Sequence, residues 1–264
     1  MCKEISVEKK LIEVKNLITK DQLIKDLHTL GIDECGILKV HISYKAIGDV
    51  EGGAQTVIDA LTQYMKNGLL VLPTHTWRNV NKENPVMDIL YTPSCVGITT
   101  ELFRKNPHVF RSQHPTHSVA AIGEDAENFV SGESLLQTPA GIGGVYHKLW
   151  ERDAQILLIG VNFSRNTFIH GIEEWDGASD TISKTRENFY VIAQDGKRIY
   201  TPQYRHCARI GSETFTKLEP MAINKNILKL GTFGGATTRL MKARPLRAMV
   251  APLIKENSHY LTNY

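Results

Sequence analysis

The chain has 264 residues, enough for one large domain with a substantial core or for two closely joined ones. With 42% apolar and 22% charged residues and a formal net charge of +3 spread along the chain, it falls outside the disordered, fibrous and strongly basic nucleic-acid-binding classes. Four scattered cysteines (Cys2, Cys35, Cys95, Cys207) with no CxxC pair, an N-terminus without an apolar signal core, and no run near the ~20 apolar residues that span a bilayer lead us to expect a cytoplasmic protein with reduced thiols.

Residues 1–18 read as a charged lead-in. TKDQLIKDLHTLGI then predicts a helix. Thr19 and Gln22 stand at capping-box spacing, Leu23, Leu27 and Leu30 make one apolar stripe, and Gly31 is the stop. GILKVHIS predicts a strand ending near His41–Ser43. The loop YKAIGDVEGG, the helix AQTVIDALTQYMKN, Gly68 and the strand LLVLP follow. This strand–loop–helix–strand order predicts a parallel βαβ pair.

Residues 78–96, with Pro85 and Pro93, form a long excursion. ITTELFRKN is a short helix with Thr99 as its cap, SVAAIG a strand, GGVYHKLWERD a helix and AQILLIGV a strand. FYVIAQ and RIYTPQYRHCA are read as two strands around an Asp195–Gly196 turn, and the tail as helical near 211–230 and 237–255. Internal repeats and low-complexity linkers are absent. The expected fold is α/β, with a mixed, largely parallel central sheet flanked by helices and a later antiparallel element. It forms a single domain over 1–264, with room for a smaller subdomain within about 180–230.

Ligands of open α/β sheets bind beyond the carboxyl ends of the strands. Three such ends are polar here: HISYKAIGDVEGG, the THTW after LLVLP, and the NFSRNTFIHGIEEW after ILLIGV. HPTHS, just before SVAAIG, is a fourth polar cluster. Lys45, Gly48, Gly52 and Gly53 beside a helix N-terminus suit an anion, or simply make a βα turn; neither GxxxxGK[ST] nor GxGxxG is present.

Histidines recur at these ends: His41, His75, His114, His117 and His170. His114 and His117 with His170 or Glu173 have the side chains for a metal. HPTH lies on a proline turn, however, and HExxH is absent, so no metal is expected. His41, His75 and His114 are read as ties for loop backbones. There is no GxSxG elbow, and Cys95 in TPSCVG is read as a buried, inert thiol. In NTFIHGIEEW, Glu173 and Glu174 follow His170 by three and four residues, so in a helix either carboxylate can reach the ring. His170 is thus a candidate general base, with a helix-surface ion pair as the plain alternative.

Several of these segments, in this order, resemble the aminoglycoside 3-N-acetyltransferases. They are GILKVHISYKAIGDVEGGAQTVIDAL through LLVLPTHT, TPSCVGITTELFRKNPHVFRSQHPTHSVAAIG and LLIGVNFSRNTFIHGIEE, with TPAGIGGVYHKL and GTFGGATTRL more weakly. HPTHSVAA and NTxxHxxE are the most specific. The resemblance implies an α/β fold distinct from the common small acetyltransferase fold, and transfer of acetyl from acetyl-coenzyme A to the 3-amino group of an aminoglycoside, without a metal. It implies His170 as the base with Glu173 as its partner, in a direct transfer within a ternary complex. The coenzyme site would be lined by His41, Ser43, Lys45, Ala46 and Ser118, with Thr74 and Thr76 facing the pantetheine arm or the acceptor.

Aminoglycosides are polycations, so their site should be locally acidic. EEWDGASD supplies Glu174, Asp176 and Asp180 beside Glu173, and Trp175 either stacks on a sugar ring or packs in the core. The same residues are compatible with transfer to a different amine or with a non-catalytic coenzyme A-binding protein. Neither nucleic acid nor a membrane is an expected partner, and the chain is expected as a monomer or homodimer.

Overall fold

The fold was obtained as a computed structural model, which describes residues 17–207 and 212–262. The charged lead-in up to residue 16, and Cys2 with it, lies outside the described residues.

In chain order the elements are α1 (Lys20–Leu30), β1 (Ile37–Ile42), α2 (Tyr44–Ile47), α3 (Gly53–Tyr64), β2 (Leu69–Pro73), β3 (Val86–Asp88), α4 (Ile98–Phe103), β4 (Phe110–Arg111) and β5 (Val119–Gly123). There follow α5 (Ala126–Val130), α6 (Val145–Glu151), β6 (Gln155–Ile159), α7 (Phe168–Asp176), β7 (Tyr190–Ile192), β8 (Arg198–Tyr200), α8 (Leu218–Asn224), β9 (Lys229–Phe233), β10 (Ala236–Lys242) and α9 (Ala243–Glu256).

Helix α1 begins and ends where its sequence says. The Thr19 hydroxyl accepts from the Gln22 N–H, and Gly31 closes the helix at φ +70°. The other half of the capping box is missing, because the Gln22 side chain donates to Asp26 instead. Gly97, not Thr99, stands at the N-cap of α4. Thr99 is already inside the helix, and the positive φ of +124° at the cap position favours glycine.

Among the described residues seven strands form one mixed sheet in the order β4-β5-β2-β1-β6-β10-β9. The predicted βαβ unit is present, since β2, β1 and β6 pair in parallel. Within this sheet, parallel pairing is confined to these three central strands, a narrower extent than expected. β5 runs antiparallel to β2, and β10 runs antiparallel to β6. The tail departs in part from the two helical pieces expected near 211–230 and 237–255, because residues 229–242 are a β9–β10 hairpin. Its turn is Gly234–Gly235, with Gly234 at φ +55°, a left-handed position that two-residue hairpin turns require. The first expected helical piece is present as a 3-10 turn at Ser212–Lys217 and α8, and the second is present only from residue 243.

The sheet is covered on both faces. Leu38 and Val40 of β1 pack with α1 and α3 on one side. Ile156 and Leu158 of β6 pack with α5, α6, α7 and α9 on the other. Val57, Ile58, Leu61 and Tyr64 of α3 are buried, and each such apolar side chain contributes roughly 1.5–3 kcal/mol. The expected hairpin at Asp195–Gly196 exists as β7 and β8, and β3 joins it to make a separate three-stranded sheet over a small core of Val80, Met87, Phe189 and Val191.

Direction decides where the polar segments meet. Ile42 of β1 is opposite Ile159 of β6, and Pro73 of β2 is opposite Val119 of β5. The carboxyl ends of three parallel strands and the amino end of antiparallel β5 therefore share one edge. The antiparallel turn-back is what brings HPTHS to the other three polar clusters. The β9–β10 turn reaches the same edge, where Gly235 N–H donates to Ile47 O.

Candidate active site

A cleft of about 880 Å³ opens at this edge. Ser43, Tyr44 and Lys45 of the β1–α2 turn form one wall, and His75, His117, His170 and His206 are among the groups that form another. Its charged rim groups are Lys45, Arg78, Arg165 and Arg205.

His170 stands in the first turn of α7, which starts directly after a 3-10 turn at Phe163–Arg165. The hydroxyl and amide of Ser164 both donate to the Asn162 side chain, fixing that turn. Phe168, Ile169 and Ile172 bury one face of α7 in the core and leave His170 facing the cleft. Its Nδ1 lies 2.7 Å from Glu173 Oε2, with Glu173 only 1% exposed. A carboxylate only accepts, so Nδ1 carries the proton of the neutral ring and Nε2 keeps its lone pair.

Glu174 goes elsewhere. Its Oε1 lies 2.8 Å from His206 Nε2 and accepts the Ala140 N–H at 2.9 Å. Two neighbouring carboxylates thus serve two different histidines. The rings of His170 and His206 are stacked at 4.4 Å and 31°, and His117 meets His206 at 5.0 Å. Burial first, and the neighbouring His170 second, push the His206 pKa below its ordinary value. Burial holds His117 and His75 well below theirs.

Beneath the cleft lies a buried polar layer. Lys39 and His41 share a face of β1, and both are buried. Among the described residues Lys39 Nζ and His41 Nε2 have no hydrogen-bond partner, and burial pushes both groups well toward neutrality. Glu133, 1% exposed, is pushed up to about 7 by burial, while its Oε1 accepts the Val145 N–H. Tyr146 OH and His75 Nε2 are 2.9 Å apart.

The structure distributes the remaining sequence-predicted residues. His41, Ser43 and Lys45 line the cleft. Ala46 lies behind them, packed toward Gly160. Thr74 and Ser118 are fully buried, linked hydroxyl to hydroxyl at 3.2 Å beside the Arg111 guanidinium, which also donates to Thr74 O, Ile89 O and Thr92 O. Thr76 is buried with its hydroxyl on Pro115 O. Asp176 sits 4% exposed in an ion pair with Arg247 at 2.8 Å, and Trp175 packs between Phe168, Trp150 and His147 with its N–H on Ala140 O. Glu174, Trp175 and Asp180 border a second cavity of about 560 Å³.

Of the histidines read as backbone ties, His114 is one. Its Nδ1 accepts the N–H groups of Thr116 and His117. His75 and His41 instead face the cleft. Cys95 also lines the cleft, and burial raises its pKa, which keeps it a thiol. Among the described residues no group of three His, Cys, Asp or Glu side chains is placed to hold a metal ion, and no helix is long and apolar enough to cross a membrane. His206 was not legible in the sequence, because nothing in its spacing ties it to α7. Lys39 had a signal, a charge inside the apolar run ILKVHI.

Known proteins share this sequence pattern and fold. The family model described as aminoglycoside 3-N-acetyltransferase matches residues 40–255. Aminoglycoside N(3)-acetyltransferase IV of a Salmonella species is 30% identical over 234 residues, spanning 87% of this chain and 84% of that protein. The prophage-derived aminoglycoside N(3')-acetyltransferase-like protein YokD of Bacillus subtilis is 28% identical over 243 residues, covering 84% and 87%. Among solved structures, a histidine-to-alanine variant of the aminoglycoside acetyltransferase AAC(3)-IVa in complex with a gentamicin superposes with a TM-score of 0.83 at 25% identity, over 96% of this chain and 94% of that one. AAC-IIIb in a binary complex with CoASH shares the fold, with a TM-score of 0.80 at 20% identity over 91% and 97%. The chain belongs to the aminoglycoside 3-N-acetyltransferase family and is an acyltransferase of that family.

Proposed function

We propose that this protein transfers the acetyl group of acetyl-coenzyme A directly to the 3-amino group of an aminoglycoside, with His170 as general base. The observation that carries the reading is the 2.7 Å His170–Glu173 pair, with the ring on the cleft wall and the carboxylate buried behind it. As the amine nitrogen attacks the thioester carbonyl, His170 Nε2 takes its proton. The N–C bond forms, the C–S bond breaks, and the coenzyme leaves as thiolate. Glu173 fixes the tautomer and stabilises the imidazolium that results.

The polarity of the cleft suits the two substrates. Lys45, Arg78 and Arg165 favour a phosphorylated cofactor. Glu173 and Glu174, directly behind the His170 and His206 rings, give the other end a negative backing for a cationic amine. Ser43 and Lys45 line the cofactor limb, with Ala46 shaping the turn behind them. Thr74, Thr76 and Ser118 act from beneath, by holding the strand ends in place.

A thiol-release assay with acetyl-coenzyme A and a panel of amines that includes gentamicin tests this. Release with gentamicin, lost in His170→Ala, is the expected result. Release only with amines outside the aminoglycosides moves the acceptor and keeps the transferase. An acetylated enzyme trapped in the absence of acceptor overturns direct transfer.

A further inference from the structure

We propose that His206, held by Glu174, is an acceptor-binding residue: its Nδ1 takes a hydrogen bond from a second N–H or O–H group on the ring that carries the reacting amine. The inference rests on the acceptor reading above and deepens it.

Three observations carry it. First, His206 lines the same cleft as His170, and the two rings are stacked at 4.4 Å. Whatever reaches the base lies against His206 as well. Second, the Nε2 of His206 is engaged by Glu174 at 2.8 Å, and Glu174 is anchored in turn by the Ala140 N–H. Because the carboxylate can only accept, the neutral ring donates from Nε2 and carries a lone pair on Nδ1. Third, His206 stands in a row of rings, with His170 on one side and His117 on the other. Imidazolium beside imidazolium is repulsive, and the row is largely desolvated, so charge on His206 is opposed.

The consequence is a wall with two adjacent lone pairs. His170 Nε2 removes a proton from one nitrogen, and His206 Nδ1 accepts from a neighbouring donor. A monoamine satisfies only the first. A ring bearing an amine and further ammonium or hydroxyl groups satisfies both, with Glu174 adding negative charge behind the second contact. His206 therefore selects polyfunctional acceptors and fixes which amine faces the base. Glu174 is a positioning residue that acts through His206.

Two substitutions separate the roles of the two ring nitrogens. His206→Gln keeps a side-chain N–H for Glu174 and removes the acceptor at the Nδ1 position. His206→Asn places an amide oxygen where Nδ1 stands. Gentamicin binding is measured by calorimetry alongside steady-state kinetics. We expect His206→Gln to raise Kd and KM for gentamicin by about tenfold or more, the size of one hydrogen bond to a charged donor, with the KM for acetyl-coenzyme A within about twofold of wild type. His206→Asn is expected to restore part of the gentamicin affinity. The proposal is overturned if His206→Gln binds gentamicin as wild type does, or if the KM for acetyl-coenzyme A rises as much as that for gentamicin. If the wild-type protein itself neither binds gentamicin nor releases thiol with it, the acceptor reading is overturned and this inference with it.

Discussion

Glu173 Oε2 and His170 Nδ1 are 2.7 Å apart because they lie three residues apart on one helix, and the carboxylate has a partner the solvent cannot replace. Glu173→Gln tests what that bond does. An amide can turn its N–H₂ toward Nδ1, which forces the proton of the neutral ring onto Nε2 and removes the lone pair that takes the amine proton. We expect kcat to fall roughly a hundredfold or more, within the range general-base catalysis contributes, while the KM for acetyl-coenzyme A moves little. Steady-state kinetics check this. Unchanged kcat would remove Glu173 from the mechanism.

Glu133 makes stability depend on pH in a particular direction. Its unfolded pKa is near 4.5, and burial raises the folded value to about 7. Between these values the folded protein holds a proton that the unfolded chain releases. The stabilisation is fully present below about 4.5 and is lost as pH rises to 7. Glu133→Gln keeps an oxygen for the Val145 N–H and abolishes the titration. Thermal melts are expected to show little change at pH 4.5 and a gain on the order of 1–3 kcal/mol at pH 8. A variant that loses stability equally at both pH values contradicts this account.

Much of the site was legible because its logic is local. The apolar runs LLVLP and ILLIGV could only be buried strands, and the βα order made β1 and β2 parallel neighbours. Helical spacing showed that Glu173 or Glu174 could reach His170, and the family resemblance pointed to Glu173. What escaped depends on long-range placement. His206 meets Glu174 across 32 positions, and a sequence offers no period that links them. The same holds for the burial of Thr74 and Ser118, which follows from Arg111 reaching back over three backbone carbonyls. The β9–β10 hairpin does carry a local signal, Gly234–Gly235 between threonine-rich flanks, just before the stretch 237–255 read as helical.

Asp176 illustrates how an acidic run divides once it is folded. Its carboxylate receives Arg247 Nε at 2.8 Å and a second guanidinium nitrogen at 3.1 Å, while the guanidinium lies over Trp150 at 4.3 Å. Asp176→Ala leaves that cation without its counter-charge between α7 and α9. Because Arg247 is partly exposed, we expect a loss of about 2–3 kcal/mol, below the full cost of breaking a buried pair. At a temperature where the variant is folded, the KM for gentamicin should match wild type. A large rise in that KM with unchanged stability would place Asp176 in the acceptor site instead.

Gly160 links the end of β6 to the Ser43–Ala46 turn. It follows β6 at φ +63°, its N–H donates to Thr237 O, and a Cβ built on it would overlap the Ala46 methyl and touch Ser43 at 3.4 Å. Gly160→Ala thus imposes two costs: a left-handed conformation that alanine disfavours and a displaced Ser43–Ala46 turn. The neighbours are backbone and Cβ atoms, which have no free rotation with which to yield. We expect a loss of about 1–3 kcal/mol in thermal or urea unfolding. The kinetic signature should be selective. Ser43 and Lys45 line the part of the cleft proposed for the cofactor, whereas His170 and His206 are held from α7, so on that proposal the KM for acetyl-coenzyme A should rise several-fold more than the KM for the amine. Equal rises in the two would mean that this turn does not belong to the cofactor side of the cleft.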